Sequence, residues 1–253
     1  MELSKLNGPT LTKEGDFVKK VRLFCLPCAG GTASTYNRWK KHLPHWVEVL
    51  PLELAGRGRR SEENFYNTFE EAVDDVFTKA KGYFNEMPYA IFGHSMGSWI
   101  AYELLYRIKN SGLKMPVHVF FSARGAPDIP YNGVVYHQLN DEDFKREIVR
   151  LGGVPQIVYE TDEMFNNYLP LIRADCKIIE NYSYSAKKDK LDTDFSVIYA
   201  ARDLMTDGDS GDEWRKHTKG FCEIKILEGK HFYILENIQT ITKYIAEKLI
   251  AYS

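Results

Sequence analysis

Gly93-His94-Ser95-Met96-Gly97 lies between an apolar run, Tyr89-Ala90-Ile91-Phe92, and a stretch of helical character, Ser98-Trp99-Ile100-Ala101-Tyr102-Glu103-Leu104-Leu105. A Gly-x-Ser-x-Gly pattern that ends a strand and opens a helix reads as a nucleophile elbow. Such a serine stands on a sharp, strained turn, so that its hydroxyl clears the sheet. The two glycines remove side chains where strand and helix nearly collide. The helix that begins after Ser95 aims its free N–H groups at the reacting centre. An ordinary Gly-rich turn can supply the five residues by themselves. The strand before them and the helix after them give the pattern its weight.

Working outward from the elbow, the same alternation continues in both directions. Residues 1–20 are a polar lead-in. Val21–Leu26 reads as a buried strand ending in the turn Pro27-Cys28-Ala29-Gly30-Gly31. A helix follows, with Thr32 or Ser34 as candidate caps and Tyr36, Trp39 and Leu43 on one face. Val47–Leu52 is a second strand, and Glu53–Arg60 a basic loop. Ala72, Val73, Val76, Phe77 and Ala80 recur at helical spacing within Phe69–Phe84. After the elbow, Val117–Phe121 is the next strand. This order predicts an α/β fold with a mostly parallel, doubly wound sheet and a site at the C-terminal ends of its strands.

From about residue 130 to 185 the alternation stops. Two helices, Asp143–Leu151 and Glu163–Glu180, are separated by Gly152-Gly153 and Pro155, and the segment reads as a helical lid inserted on the site side. Lys187-Lys188-Asp189-Lys190 is a solvated connector. The sheet resumes with Phe195–Ala200 and ends with Cys222–Leu227, with a helix at about Asp212–Thr218 between them and a last helix over Ile238–Ala251. No linker or repeat interrupts the chain, so residues 1–253 are expected to form a single domain.

Composition narrows the function. The net charge of −2 gives no reason to expect nucleic acid as a partner. The polar N-terminus lacks a signal-peptide core, and no apolar run is long enough for a membrane span. Cys25, Cys28, Cys176 and Cys222 do not form a disulfide framework, and the lone Cys25-x-x-Cys28 pair has no second pair to complete a zinc site. A cytoplasmic protein with neither cofactor nor metal is expected.

A serine nucleophile needs a base, and the base needs an orienting acid, in the chain order Ser, Asp or Glu, His. Among seven histidines, His42 and His45 precede the elbow. His94 is inside the motif, too constrained to serve Ser95. His118 lies in a strand, His137 in the lid region, and His217 in a polar stretch that reads as solvated. His231, just past the last strand, is the expected base. Asp203, three residues past a strand end, is the expected acid. Asp207, Asp209 and Asp212 lie in a looser run, and Asp128 is the runner-up. The oxyanion hole needs two backbone donors. Met96 N–H is one, and Ala29 N–H in the turn after the first strand is the other.

These residues fall into a familiar series. Leu26-Pro27-Cys28-Ala29-Gly30-Gly31, Gly56-Arg57-Gly58-Arg59, Phe92–Gly97, Leu151-Gly152-Gly153-Val154-Pro155, Leu169-Pro170-Leu171-Ile172-Arg173-Ala174-Asp175, Ala201-Arg202-Asp203 and Gly229-Lys230-His231-Phe232 occur in one order over roughly residues 20–250. Together they resemble the type II thioesterases, stand-alone enzymes that serve nonribosomal peptide and polyketide synthases. The related medium-chain acyl-carrier-protein hydrolases of fatty acid synthesis are similar. The resemblance implies an α/β-hydrolase fold with a helical lid. It also implies a Ser95/Asp203/His231 triad with Ala29 and Met96 as oxyanion donors. The implied substrates are acyl-phosphopantetheinyl carrier proteins, cleared of aberrant acyl units.

Synthase-embedded thioesterase domains often place the acid after the strand that follows the nucleophile helix. Here that strand ends Ser122-Ala123-Arg124 with no carboxylate, which favours Asp203. Cys28 and Ala55 depart from the usual family pattern, an aromatic or histidine and a proline.

Two further readings stay open. Val134, Val135, Phe144, Val158, Tyr159, Met164, Phe165 and Tyr168 either shape an acyl tunnel or pack the lid onto the core. Arg57, Arg59 and Arg60 either meet an acidic carrier or the pantetheine phosphate, or form a solvated loop. A carboxylesterase, an acyltransferase or an idle carrier-binding protein are the competing functions.

Overall fold

The structure, a computed structural model, describes residues 10–11, 17–129, 134–151, 161–206 and 210–253. A short antiparallel ribbon, β1 (Thr10–Leu11) with β2 (Phe17–Val18), precedes the main sheet. The sheet has six strands: β3 (Val21–Leu26), β4 (Val47–Pro51), β5 (Tyr89–His94), β6 (His118–Ser122), β7 (Asp194–Ala200) and β8 (Cys222–Leu227). Their order is β4-β3-β5-β6-β7-β8 and every neighbouring pair is parallel. These are the six expected strands, with small differences at the ends.

Every residue of β3, β5 and β6 is buried. Successive side chains point to opposite faces, so Phe24 and Leu26 enter one hydrophobic cluster, and Leu23 and Cys25 the other. Near-continuous apolar strands suit a parallel sheet covered on both sides. One face carries α1 (Phe69–Ala80) and α2 (Met96–Asn110), whose Val73, Val76, Ile100 and Leu104 fill the first cluster. The other face carries a 3-10 helix, Ala33–Lys41, and α7 (Ile238–Leu249).

The first helix departs from expectation. Its buried residues, Ala33, Tyr36 and Trp39, recur every three positions, which is the period of a 3-10 helix. Neither expected cap bonds its N–H groups; the Thr32 and Ser34 hydroxyls bond each other at 2.6 Å. The helix expected to run to Phe84 stops at Ala80 and continues as a 3-10 turn, Lys81–Tyr83.

Between β6 and β7 lie α3 (Asp141–Arg150) and α4 (Asp162–Glu180), capped by Asn140 and Thr161, whose side chains accept from Asp143 N–H and Met164 N–H. They pack on each other through a cluster of their own, Phe144, Ile148, Phe165, Leu169, Ile172 and Cys176. Gly152, Gly153, Pro155, Val158 and Tyr159 lie outside the described residues. After β7 come α5 (Ser210–Glu213) and a 3-10 turn, Trp214–His217. After β8 comes α6 (Tyr233–Glu236). Among the described residues no helix is long and apolar enough to cross a membrane.

Candidate active site

The elbow is shaped by two close approaches. A β-carbon at Gly93 would lie 2.2 Å from the Gly97 carbonyl oxygen, and one at Gly97 would lie 2.4 Å from that of Leu26. Only glycine allows these backbones to meet. Ser95, between them, has φ 53° and ψ −115°, a conformation that costs a non-glycine residue about 1–3 kcal/mol. Neighbouring bonds sustain it. Ser95 N–H donates to the Ser122 carbonyl at 2.7 Å. The Ser98 hydroxyl bonds the Gly93 carbonyl at 2.8 Å and accepts from Ser122 N–H at 3.0 Å. Ser98 and Ser122 were not singled out from sequence, since a small polar residue in a buried helix or strand carries no distinctive pattern.

Asp203 follows β7 and His231 follows β8, on the same edge of the sheet as Ser95. Asp203 Oδ2 lies 2.8 Å from His231 Nδ1. The carboxylate also accepts from Met205 N–H at 2.9 Å and from the Thr206 hydroxyl at 2.8 Å. Burial disfavours its ionised form, but His231 and these two donors outweigh that and hold the Asp203 carboxyl below its ordinary value. The loop is tied across the strand ends by Arg202 N–H to the Gly229 carbonyl at 3.0 Å. Asp207 and Asp209 lie outside the described residues. Asp212 pairs with Arg215 at the surface.

His94, inside the elbow, lies against His231. Its ring lies 5.3 Å, centroid to centroid, from that of His231, and its Nδ1 bonds the Ser122 hydroxyl at 2.8 Å. Burial, reinforced by His231, pushes its pKa well below the ordinary histidine value. It is therefore a neutral neighbour of His231.

Within the turn after β3, Pro27 has no N–H, Gly31 N–H donates to the Cys28 carbonyl at 2.9 Å, and Gly30 N–H donates to Asp175 Oδ2 at 2.7 Å. Cys28 and Ala29 remain as donors in the turn. The clash that a side chain at Gly97 would make extends to the Pro27 carbonyl, 2.8 Å away. The start of α2 and the turn are thus in direct contact. Burial pushes the Cys28 thiol up to about 12, so it is uncharged. A cavity of about 230 Å³ opens beside the turn, lined by Ala29, Gly30, Thr32, Tyr168, Phe232 and Leu235 among others.

One sequence-based expectation is overturned, and two open readings are narrowed. His217 is 5% exposed, not solvated. Its Nε2 lies 2.8 Å from Asp128 and its Nδ1 2.9 Å from the Tyr102 hydroxyl, which occupies the runner-up acid elsewhere. Of the three arginines in the basic loop only Arg59 is exposed. Arg57 is buried against Asp175, with Nη1 and Nη2 at 2.6 and 2.8 Å from the two carboxylate oxygens, and Arg60 is bound to Asp75 and Glu63. In the lid region Phe144 and Phe165 pack α3 against α4, Val134, Val135 and Met164 are exposed, and Tyr168 faces the cavity.

The comparisons with known proteins agree with this architecture. The family model described as "Thioesterase domain" matches residues 21–249. The gramicidin S biosynthesis protein GrsT of Aneurinibacillus migulanus is 32% identical, over 98% of this chain and 96% of that protein. Among solved structures, ClbQ from the colibactin NRPS/PKS pathway superposes with a TM-score of 0.89 at 31% identity, over 92% of this chain and 98% of that one. The type II thioesterase BorB from the borrelidin biosynthetic cluster gives 0.83 at 32% identity, over 91% and 93%. The chain therefore belongs to the thioesterase domain family, as a type II thioesterase on the α/β-hydrolase fold.

Proposed function

We propose that this thioesterase releases acyl groups from the phosphopantetheine thiol of carrier proteins, with Ser95 as nucleophile, His231 as general base and acid, and Asp203 as the group that orients it. His231 takes the Ser95 proton while Oγ attacks the thioester carbonyl. Ala29 N–H and Met96 N–H hold the oxyanion of the tetrahedral intermediate. The C–S bond breaks, and the pantetheine sulfur leaves with the proton from His231. Water, deprotonated by His231, then cleaves the acyl-serine and restores the hydroxyl.

The observation that carries this reading is the 2.8 Å Asp203–His231 bond on the same sheet edge as a strained serine elbow. An N–H donated from Nδ1 to Asp203 supports the reading, since it would leave His231 Nε2 able to accept the serine proton. The carrier as partner is supported by kinship with a gramicidin S biosynthesis protein and with ClbQ of an NRPS/PKS pathway. A cytoplasmic setting belongs to the same proposal, in keeping with four free thiols.

The test is an acyl-loaded carrier protein followed by intact mass. The parent releases the acyl group, and Ser95→Ala is expected to slow release by at least about 10³-fold. Release at the parental rate by Ser95→Ala would overturn the assignment. A p-nitrophenyl ester of the same chain length, if hydrolysed in preference to the thioester, would favour an esterase.

A further inference from the structure

Asp175 is a buried carboxylate on α4, between β6 and β7, yet its contacts lie in two loops far away in sequence. Oδ2 accepts Gly30 N–H at 2.7 Å and Arg57 Nη1 at 2.6 Å, and Oδ1 accepts Arg57 Nη2 at 2.8 Å. Both charged side chains are almost fully enclosed, at 1% and 2% exposure. Arg57 Nη1 also reaches the Gly31 carbonyl at 3.4 Å, and Nε donates to the Ala55 carbonyl at 3.2 Å. A second grip comes from the same helix, two turns earlier. Gly30 has φ 67°, and a β-carbon there would lie 1.9 Å from the Tyr168 hydroxyl. The turn is therefore held against α4 at two points, one polar and one steric.

We infer that Asp175 and Arg57 are positioning residues for the oxyanion hole, setting the backbone of the turn that presents Ala29 N–H to the tetrahedral intermediate. The inference rests on the reading of Ala29 as an oxyanion donor. Gly30 N–H and the Ala29 carbonyl share one peptide plane. Fixing that plane on Asp175 leaves the Ala29 N–H only the rotations about its own α-carbon. Preorganised donors of this kind work because they need no reorientation when charge develops. A charge-assisted bond to a buried carboxylate, itself clamped by a bidentate guanidinium, is a stiff support. The arrangement also makes the oxyanion turn depend on the placement of α4, the long helix of the inserted segment.

The experiment compares the parent with Asp175→Asn, Arg57→Lys and Ser95→Ala on an acyl-thioester. It reads kcat and KM separately, together with inhibition by an alkylboronic acid that forms a tetrahedral adduct on serine. Asp175→Asn is expected to lower kcat about 10- to 100-fold, part of what loss of a donor costs. KM should stay within about twofold, and the boronate Ki should rise in the same proportion as kcat falls. Arg57→Lys keeps the charge but not the two-point clamp, and should shift both quantities the same way by a smaller factor. A folded Asp175→Asn enzyme with parental kcat, or with reduced kcat and an unchanged boronate Ki, overturns the inference. If Asp175→Asn does not fold, Arg57→Lys decides, and parental kcat there overturns it. Parental turnover by Ser95→Ala would instead remove the catalytic reading beneath it.

Discussion

Asp203 Oδ2 and His231 Nδ1 are 2.8 Å apart with side chains 0% and 4% exposed, so the pair is almost closed to water. The carboxylate can accept only an N–H from that ring nitrogen, which leaves Nε2 to accept the serine proton in the proposed mechanism. Asp203→Asn would offer an amide in its place, able to donate to Nδ1 and so favour the opposite tautomer. A fall in kcat of about 10⁴-fold is expected, with the fold intact. Steady-state hydrolysis of an acyl-thioester checks it, and a loss of tenfold or less would remove Asp203 from the role of acid.

The glycines of the elbow should tolerate no side chain. A β-carbon at Gly93 meets the Gly97 carbonyl oxygen at 2.2 Å, and both partners are backbone, so nothing nearby can rotate away. Gly82, in contrast, has no atom within 4 Å of its notional β-carbon. Gly93→Ala is expected to cost about 3 kcal/mol or more, a drop of about 6–12 °C in Tm for a chain of this size. Gly82→Ala should leave Tm within about 1 °C. Thermal unfolding of the two variants side by side is the measurement, and equal Tm values would contradict the steric account.

The strands and the elbow were legible because their signals are local. Each strand is an apolar run closed by a turn, and Gly-x-Ser-x-Gly carries its own context. What could not be read was pairing across distance. Arg57 sits among Gly58, Arg59 and Arg60 and reads either as a contact for a carrier or its phosphate or as part of a solvated loop, because nothing near it identifies a partner 118 residues away. His217 misled for a different reason. Trp214-Arg215-Lys216-His217 is charged overall, but a 3-10 turn has three residues per turn. Trp214 and His217 therefore share the buried side, and Arg215 and Lys216 are exposed. The same three-residue period distinguishes the first helix, which does not use the caps expected of it.

Two buried histidines set an acid limit on stability. Burial pushes His118 down to about 4 and His94 well below the ordinary value. His118 Nε2 bonds the Ser196 hydroxyl at 2.8 Å. Both rings stay neutral in the folded chain while the unfolded chain protonates them near pH 6.5. Stability is thus fully present above pH 6.5 and declines as pH falls toward the folded-state values. Each histidine contributes up to about 1.4 kcal/mol per pH unit. Denaturant unfolding at pH 7.5, 6 and 5 should follow this trend. His118→Asn should reduce the slope by about one proton, and an unchanged slope would refute its part.

Asp128 provides the contrast to Asp203. It lies in the loop after β6, and it too is bonded to a buried histidine, His217, at 2.8 Å. That histidine is turned toward the Tyr102 hydroxyl of α2, at 2.9 Å, and packs beside Trp214. The network therefore ties the loop after β6 to α2 and to the turn before β8. Asp128→Asn should leave kcat within about threefold of the parent. Asp128→Ala, which leaves His217 Nε2 without its carboxylate, should lower stability by about 1–3 kcal/mol. Paired measurements of kcat and unfolding free energy on the Asp128 and Asp203 variants separate the roles. A catalytic loss for Asp128→Asn comparable to that of Asp203→Asn would transfer the acid to the loop after β6.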